Sequence, residues 1–302
     1  MNFELSQPKQ IISLSSSAHI VSVEVNVWTA TKQDRAISNE VTTMKKADAE
    51  AGKFTKNLLP NPPEHKALLN YRQTVYNWLQ RSTYEWSGDM RLLPSCNIEK
   101  FTSEFRQHEI AFEDLLDKFC AEYPNIVSNA AFKQGDMFDR SEYPDVGVVR
   151  SKFRINMFVT QVPTNDFRSN ISSVIADDLK RHYERQVTSI IDQVMGDASE
   201  RLIEIAERIS NACTENVPQE DGKVKRKKIY DTTISQAKEL CNTLKDFNLT
   251  NNSALENARS QLENALKDVS VEDLRESSYV RSVVKDNVDD MLSKFAPLKS
   301  FN

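Results

Sequence analysis

Glycine is scarce in this chain, with six in 302 residues. Glycine takes the left-handed backbone that most two-residue hairpins require, so its scarcity argues for long helices over a turn-rich β fold. Long apolar runs are missing too. No stretch approaches the roughly 20 consecutive apolar residues of a membrane-spanning helix. The opening MNFELSQPKQIISL has neither a basic leader nor an extended apolar segment, so no secretion signal is expected. Four cysteines, Cys96, Cys120, Cys213 and Cys241, stand apart with no CxxC pair. That pattern points to reduced thiols in a cytoplasmic protein rather than to a disulfide framework. A basic excess is also lacking: 39 Lys and Arg against 44 Asp and Glu leave a net charge of -5. Such a balance weighs against a surface built to coat nucleic acid.

The familiar signatures of catalysis are absent as well. His19, His65, His108 and His182 have no second histidine at ligand spacing, and there is no HExxH. Neither GxxxxGK[ST] nor GxGxxG occurs, so no glycine loop is expected to cradle phosphate. GxSxG and a recognisable Cys–His pair are missing too. Asp136, Asp139, Glu142 and Asp145 crowd one loop, but their spacing fails the EF-hand pattern, and an acidic solvated loop is expected there. No metal, cofactor or enzymatic activity is expected.

What is present is periodicity. In residues 152–162, KFRINMFVTQV, the row Phe153, Ile155, Met157 and Val159 alternates with Arg154, Asn156, Phe158 and Thr160, which predicts a strand with one face on a core. Residues 20–31 repeat the pattern through Val21, Val23, Val25 and Val27. Residues 90–94 read as a short extended piece closed by Pro94, after a loop over 83–89.

Helical spacing dominates elsewhere. Ile37, Val41, Met44, Ala47 and Ala51 predict a helix to about Leu58, stopped by the prolines at 60, 62 and 63. A helix over 64–81 follows, then one over 98–121 that Pro124 kinks or ends. From Ile171 an apolar stripe runs to Ile209, a helix of roughly 40 residues or about 60 Å, with Gly196 its weak point. After a polar linker over 216–222, helices are expected over 225–247, from a Ser253-x-x-Glu256 capping box, from a Ser270-x-x-Asp273 box, and on to Phe295. A short helix over 7–14 and a turn over 163–168 complete the reading. The fold class is mostly α with a small antiparallel β-sheet (α+β), its long helices forming a bundle or antiparallel coiled coil. Two domains are expected, 1–170 around the sheet and 171–302 built from long helices.

Two places present contact chemistry. Tyr84 and Trp86 fall in a loop, where large aromatics often meet partners. Lys223, Lys225, Arg226, Lys227 and Lys228 form the one basic cluster, able to meet an acidic partner or nucleic acid, although no aromatics interleave with it.

The order of parts resembles a family of phage and bacterial proteins classed as a domain of unknown function. The matching pieces are IVSVEVNVWTATK, the Arg72-centred helix LLNYRQTVYNWLQRST, the extended residues 90–94, the 101–123 helix, the FRINMF strand and a long helix. The resemblance spans roughly residues 13–210. It implies a neighbourhood of MoxR-type AAA+ ATPases and von Willebrand A-type or cobaltochelatase-like proteins, hence an adaptor or accessory role, often phage-encoded, in the host cytoplasm. It carries over no catalytic residue. The sequence therefore predicts a non-enzymatic interaction protein whose partner is an AAA+ ATPase or itself. The alternatives are a homo-oligomeric phage structural or assembly component, and a nucleic-acid-binding protein.

Overall fold

The computed structural model describes residues 14–163, 173–218 and 224–295. Most of the helix expected over 7–14, the body of the turn over 163–168, part of the 216–222 linker and Lys223 lie outside them. In chain order the elements are β1 (Ala18–Asn26), β2 (Thr31–Asp34), α1 (Arg35–Met44), β3 (Phe54–Asn57), α2 (Pro63–Ser82), β4 (Tyr84–Ser87), β5 (Met90–Pro94), α3 (Ile98–Gln134), α4 (Val146–Arg150) and β6 (Arg154–Gln161). They continue with α5 (Ser173–Cys213), β7 (Glu215–Pro218), β8 (Val224–Arg226), α6 (Asp231–Asp246), α7 (Ser253–Ala265), α8 (Val271–Glu276) and α9 (Ser278–Phe295). The expected class, mostly helix with a small antiparallel sheet, is the one observed. The larger sheet has the order β4-β5-β1-β6, and β2 pairs with β3 in a second. The chain forms two compact units: Met1–Ile20 with Thr83–Ile98 and Thr160–Asn302, and Val21–Ser82 with Glu99–Val159. The sequence placed one cut at 170; the units instead interleave along the chain.

The unit containing Val21–Ser82 has an aromatic core. Val21, Val23, Val25 and Val27 are buried in alternation, as a strand with one apolar row requires. On α3, Phe101, Phe105, Phe112, Phe119 and Tyr123 recur at helical spacing and are all buried. Trp78 of α2 stacks on Phe101 at 4.5 Å between centroids, and its Nε1 donates to Glu104 Oε2 at 2.7 Å. His65 donates from Nε2 to the Trp28 carbonyl at 2.6 Å and packs its ring against Phe119.

Several local readings are corrected in this unit. Pro124 does not end α3, which runs on to Gln134 because Ile126, Val127 and Ala130 keep burying the same stripe. The helix expected to Leu58 stops at Met44, and the chain returns as β3 to pair with β2. Its inward face is polar: Ser38 and Thr42 are buried, whereas Val41 and Met44 are exposed. Ser38 Oγ donates to the Asp34 carbonyl and accepts from Phe54 N at 2.9 Å, so it ties helix to returning strand. On β6 the apolar row is covered at Phe153 and Ile155, half-covered at Met157 and open at Val159, on a strand at the edge of its sheet. The acidic loop is not simply solvated. Glu142 pairs with Lys56, which is 4% exposed, and with Lys32 at 3.3 Å, while Tyr143 donates to the Leu58 carbonyl at 2.8 Å.

The other unit has an aliphatic core around α5, an unbroken helix of 41 residues, about 60 Å long. Gly196 does not interrupt it. Asp197 does not cap a new helix there; it pairs with Arg201 at 2.9 Å one turn on. From Val187 to Cys213 the inward side chains of α5 are buried, and α6, α7 and α9 pack along it. The loop expected over 83–89 is half of a hairpin, with Tyr84 opposite Leu92 and Gly88 at a φ of 57° in the turn. That left-handed backbone is where one of the six glycines is needed.

The first residues of the polar linker belong to β7, which pairs with β8 with Glu215 opposite Arg226, so α6 starts at Asp231 instead of residue 225. Asn252, not Ser253, caps α7: its Oδ1 accepts from Ala254 N at 2.9 Å and Leu255 N at 3.1 Å. The Ser270–Asp273 capping box forms as its spacing predicts.

Candidate ligand pocket

Within the aliphatic unit, a pocket of about 260 Å³ opens where the end of α5, the segment from Lys227 to Tyr230 and the first turn of α6 meet. Its floor follows from the stripe of α5. Ile209 and Cys213 are one helical turn apart, and both are nearly fully buried. Ile229 and Ile234 also line it and are buried. The rim is different in kind. Arg208, Lys227 and Lys228 line it with exposed side chains, and Lys228 Nζ stands 5.2 Å from the Tyr230 ring centroid. No Asp or Glu is among the described lining residues.

Arginines from two neighbouring helices hold this wall. Arg275 donates from Nε and Nη2 to the Ile229 carbonyl, at 3.3 and 3.1 Å, and from Nη2 to Asp231 at 2.9 Å. Arg281, 2% exposed, donates from Nη2 to the Lys227 carbonyl at 3.3 Å and from Nε to the Leu274 carbonyl. Its Nη1 is buried with no hydrogen-bond partner among the described residues. Nor does any carboxylate among them pair with Arg281. A buried charge without a counterion is costly, so such an arrangement is rare without a purpose. Asp289, nearby in the chain, is engaged elsewhere: Lys285 and Ser210 Oγ, the latter at 2.5 Å, hold its carboxyl below the usual range.

Cys213 is the one nucleophilic side chain in the floor. Burial pushes its thiol up from the ordinary value, against the opposing pull of Arg281 and Lys285. A thiol raised in this way stays protonated near neutral pH, so it serves as an apolar wall and not as a thiolate. The N-terminus of α6 also faces this region, and Tyr230 at its cap supplies no side-chain hydrogen bond. The arrangement is suited to holding a small molecule with an apolar body near positive charge.

The structure splits the residues singled out by sequence. Lys227 and Lys228 lie at the pocket; Lys225 and Arg226 belong to β8, with side chains outside the described set, as is all of Lys223. Tyr84 does not lie on the surface as its loop reading implied. It is 3% exposed, stacks on Phe247 at 5.3 Å, lies under Arg201 at 4.5 Å, and has its hydroxyl pushed up to about 12, chiefly by burial. Trp86 is half-buried against the same core. Sequence reasoning missed Arg208, Cys213 and Arg281 as a group. A signal for Arg281 existed: it occupies an inward position, three residues before Val284, on the stripe that continues through Val288, Met291 and Phe295.

Among the described residues, no three His, Cys, Asp or Glu side chains converge to hold a metal ion, and no helix is long and apolar enough to cross a membrane. No protein-family model, curated protein or solved structure matches this chain.

Proposed function

We propose that this chain is a non-enzymatic interaction protein, a phage-encoded adaptor or accessory partner of an AAA+ ATPase that works in the cytoplasm. The observation that carries the reading is the start of α5. The helix is covered from Val187 onward, yet Ile175 and Leu179, one turn apart, are 54% and 42% exposed. A helix that leaves apolar side chains open at one end offers them to another protein. The family resemblance supplies the class of partner, and the four free cysteines fit a reducing compartment. Affinity capture from cells with the full chain is expected to retain an ATPase of this class, and Ile175→Glu with Leu179→Glu is expected to release it. Equal capture by the double variant, or capture of no protein, would count against the proposal.

A second reading, self-association, is favoured by the charges beside those two residues. Asp177 and Asp178 precede Lys180, Arg181 and Arg185. Antiparallel pairing of two copies would set acidic against basic side chains, as a two-fold interface requires. Light scattering after size exclusion separates the readings: a dimer or larger assembly dispersed by the double variant supports self-association, and a monomer removes it.

A further inference from the structure

Three features of the pocket beside Cys213 call for the same ligand. Its floor is closed by buried aliphatic side chains, so the body of an occupant must be apolar. Its rim carries Arg208, Lys227 and Lys228, with no Asp or Glu among the described lining residues. Behind the wall, Arg281 hydrogen-bonds the backbone of Lys227, keeps Nη1 unpartnered among the described residues, and has no counterion there. The second and third observations are independent, one on the surface and one buried, and neither charge meets a carboxylate among the described residues. We propose that this pocket binds a medium-chain aliphatic carboxylate, its chain on Ile209, Cys213 and Ile234 and its headgroup in the field of Arg281, Lys227 and Lys228.

Each half of such a ligand answers a different need. The chain removes apolar wall from water, and the carboxylate provides the negative charge that the described side chains do not supply there. An uncharged alcohol of the same length satisfies only the first. A dianion without a tail satisfies only the second. The site thus prefers the amphiphile, and the preference is independent of whether α5 recruits a protein partner.

Isothermal titration and thermal denaturation of the full chain with octanoate, octanol and inorganic phosphate test the idea. Octanoate is expected to bind and to raise Tm with concentration, and octanol and phosphate to bind at least about tenfold more weakly. Arg281→Met removes the buried charge at similar volume and is expected to fold and to lose octanoate affinity about tenfold, with a smaller loss for octanol because the Lys227 carbonyl loses its donor. Lys227→Ala with Lys228→Ala, at exposed positions, provides a second variant that is expected to fold and to weaken octanoate several-fold. The proposal is overturned if octanoate fails to bind at millimolar concentration, if octanol binds equally well, or if the lysine double variant keeps wild-type affinity. It is equally overturned if a peptide ending in an apolar residue binds there and octanoate does not displace it.

Discussion

The two units bury apolar surface by different means. One relies on large rings, Phe101, Phe105, Phe112, Phe119 and Tyr123 of α3 with Trp78 and Phe153: Trp78 packs on Phe101 and Phe105, and Phe119 on Tyr123 and Phe153. The other spreads burial over many aliphatic side chains of α5, α6, α7 and α9, with Tyr84, Phe247 and Phe295 the aromatics in its cluster. Their polar groups differ in the same way. In the aromatic unit, Lys56, Glu142, Gln134 and Tyr143 form an inward network that fastens a loop. In the aliphatic unit Arg259 reaches outward to Glu256 and Glu263, while Arg281 Nη1 has no hydrogen-bond partner among the described residues. A core made of few large parts is sensitive to each part. One made of many small parts can tolerate local imperfection, including a pocket and a charge.

Breaking one part of each core gives the largest expected effect. Phe119→Ala removes a fully buried ring that contacts His65, Tyr123 and Phe153, and is expected to cost about 3–5 kcal/mol. Leu202→Ala, also fully buried, should fall toward the lower end of about 2–5 kcal/mol, because neighbouring aliphatics can close in. Denaturant midpoints measure both. If Leu202→Ala proves the more damaging, the contrast between the cores fails.

A smaller effect is expected at a helix end. Ser270→Ala deletes the hydroxyl that accepts from Asp273 N at 3.0 Å, and should cost about 1 kcal/mol with the m-value unchanged. No loss would mean that packing of Leu274 alone positions α8.

The smallest distinguishes the units by proton uptake. Burial lowers the pKa of His65, against the hydrogen bond to Trp28, and burial also lowers that of His108. Below their ordinary value of about 6.5, the unfolded chain then binds more protons than the native one, so stability falls as pH drops through that window. In the aliphatic unit, Lys245 and Arg259 hold Glu263 below its ordinary value, and Arg259 does the same for Glu256. That contribution is present above the unfolded carboxylate value and is lost only as pH falls further, below about 4. Hydrogen exchange from pH 7.5 to 5.5 is therefore expected to loosen α2 and α3 before α5 and α7, and His65→Phe to reduce the difference. Simultaneous loosening of all four helices would argue against it.

The sequence made β1, α2 and α5 readable because their periodicity is long and each repeat adds to the same face. It hid β2, β3 and β4. TKQD, FTKN and YEWS carry too little alternation to announce a strand, and they are extended because a partner strand satisfies their backbone. Pro124 shows the opposite failure. A strong local rule was overruled by ten further residues of α3 whose burial outweighs one missing hydrogen bond. Of the pocket, only Lys227 and Lys228 stood out, since clustered charge is visible in one dimension. Cys213 and Arg281 come from elements 68 residues apart, and nothing in the line of residues joins them.

By itself, the sequence determined the helical class, the length of the longest helix and the scarcity of turns, because these depend on spacing between near neighbours. Tertiary structure decided that Tyr84 is core, that the 41-residue stripe is covered along most of its length but open at its start, and that a buried guanidinium stands behind an apolar pocket. Those outcomes depend on which surfaces meet across long stretches of chain. Burial and unpaired charge are properties of such meetings, not of any single segment.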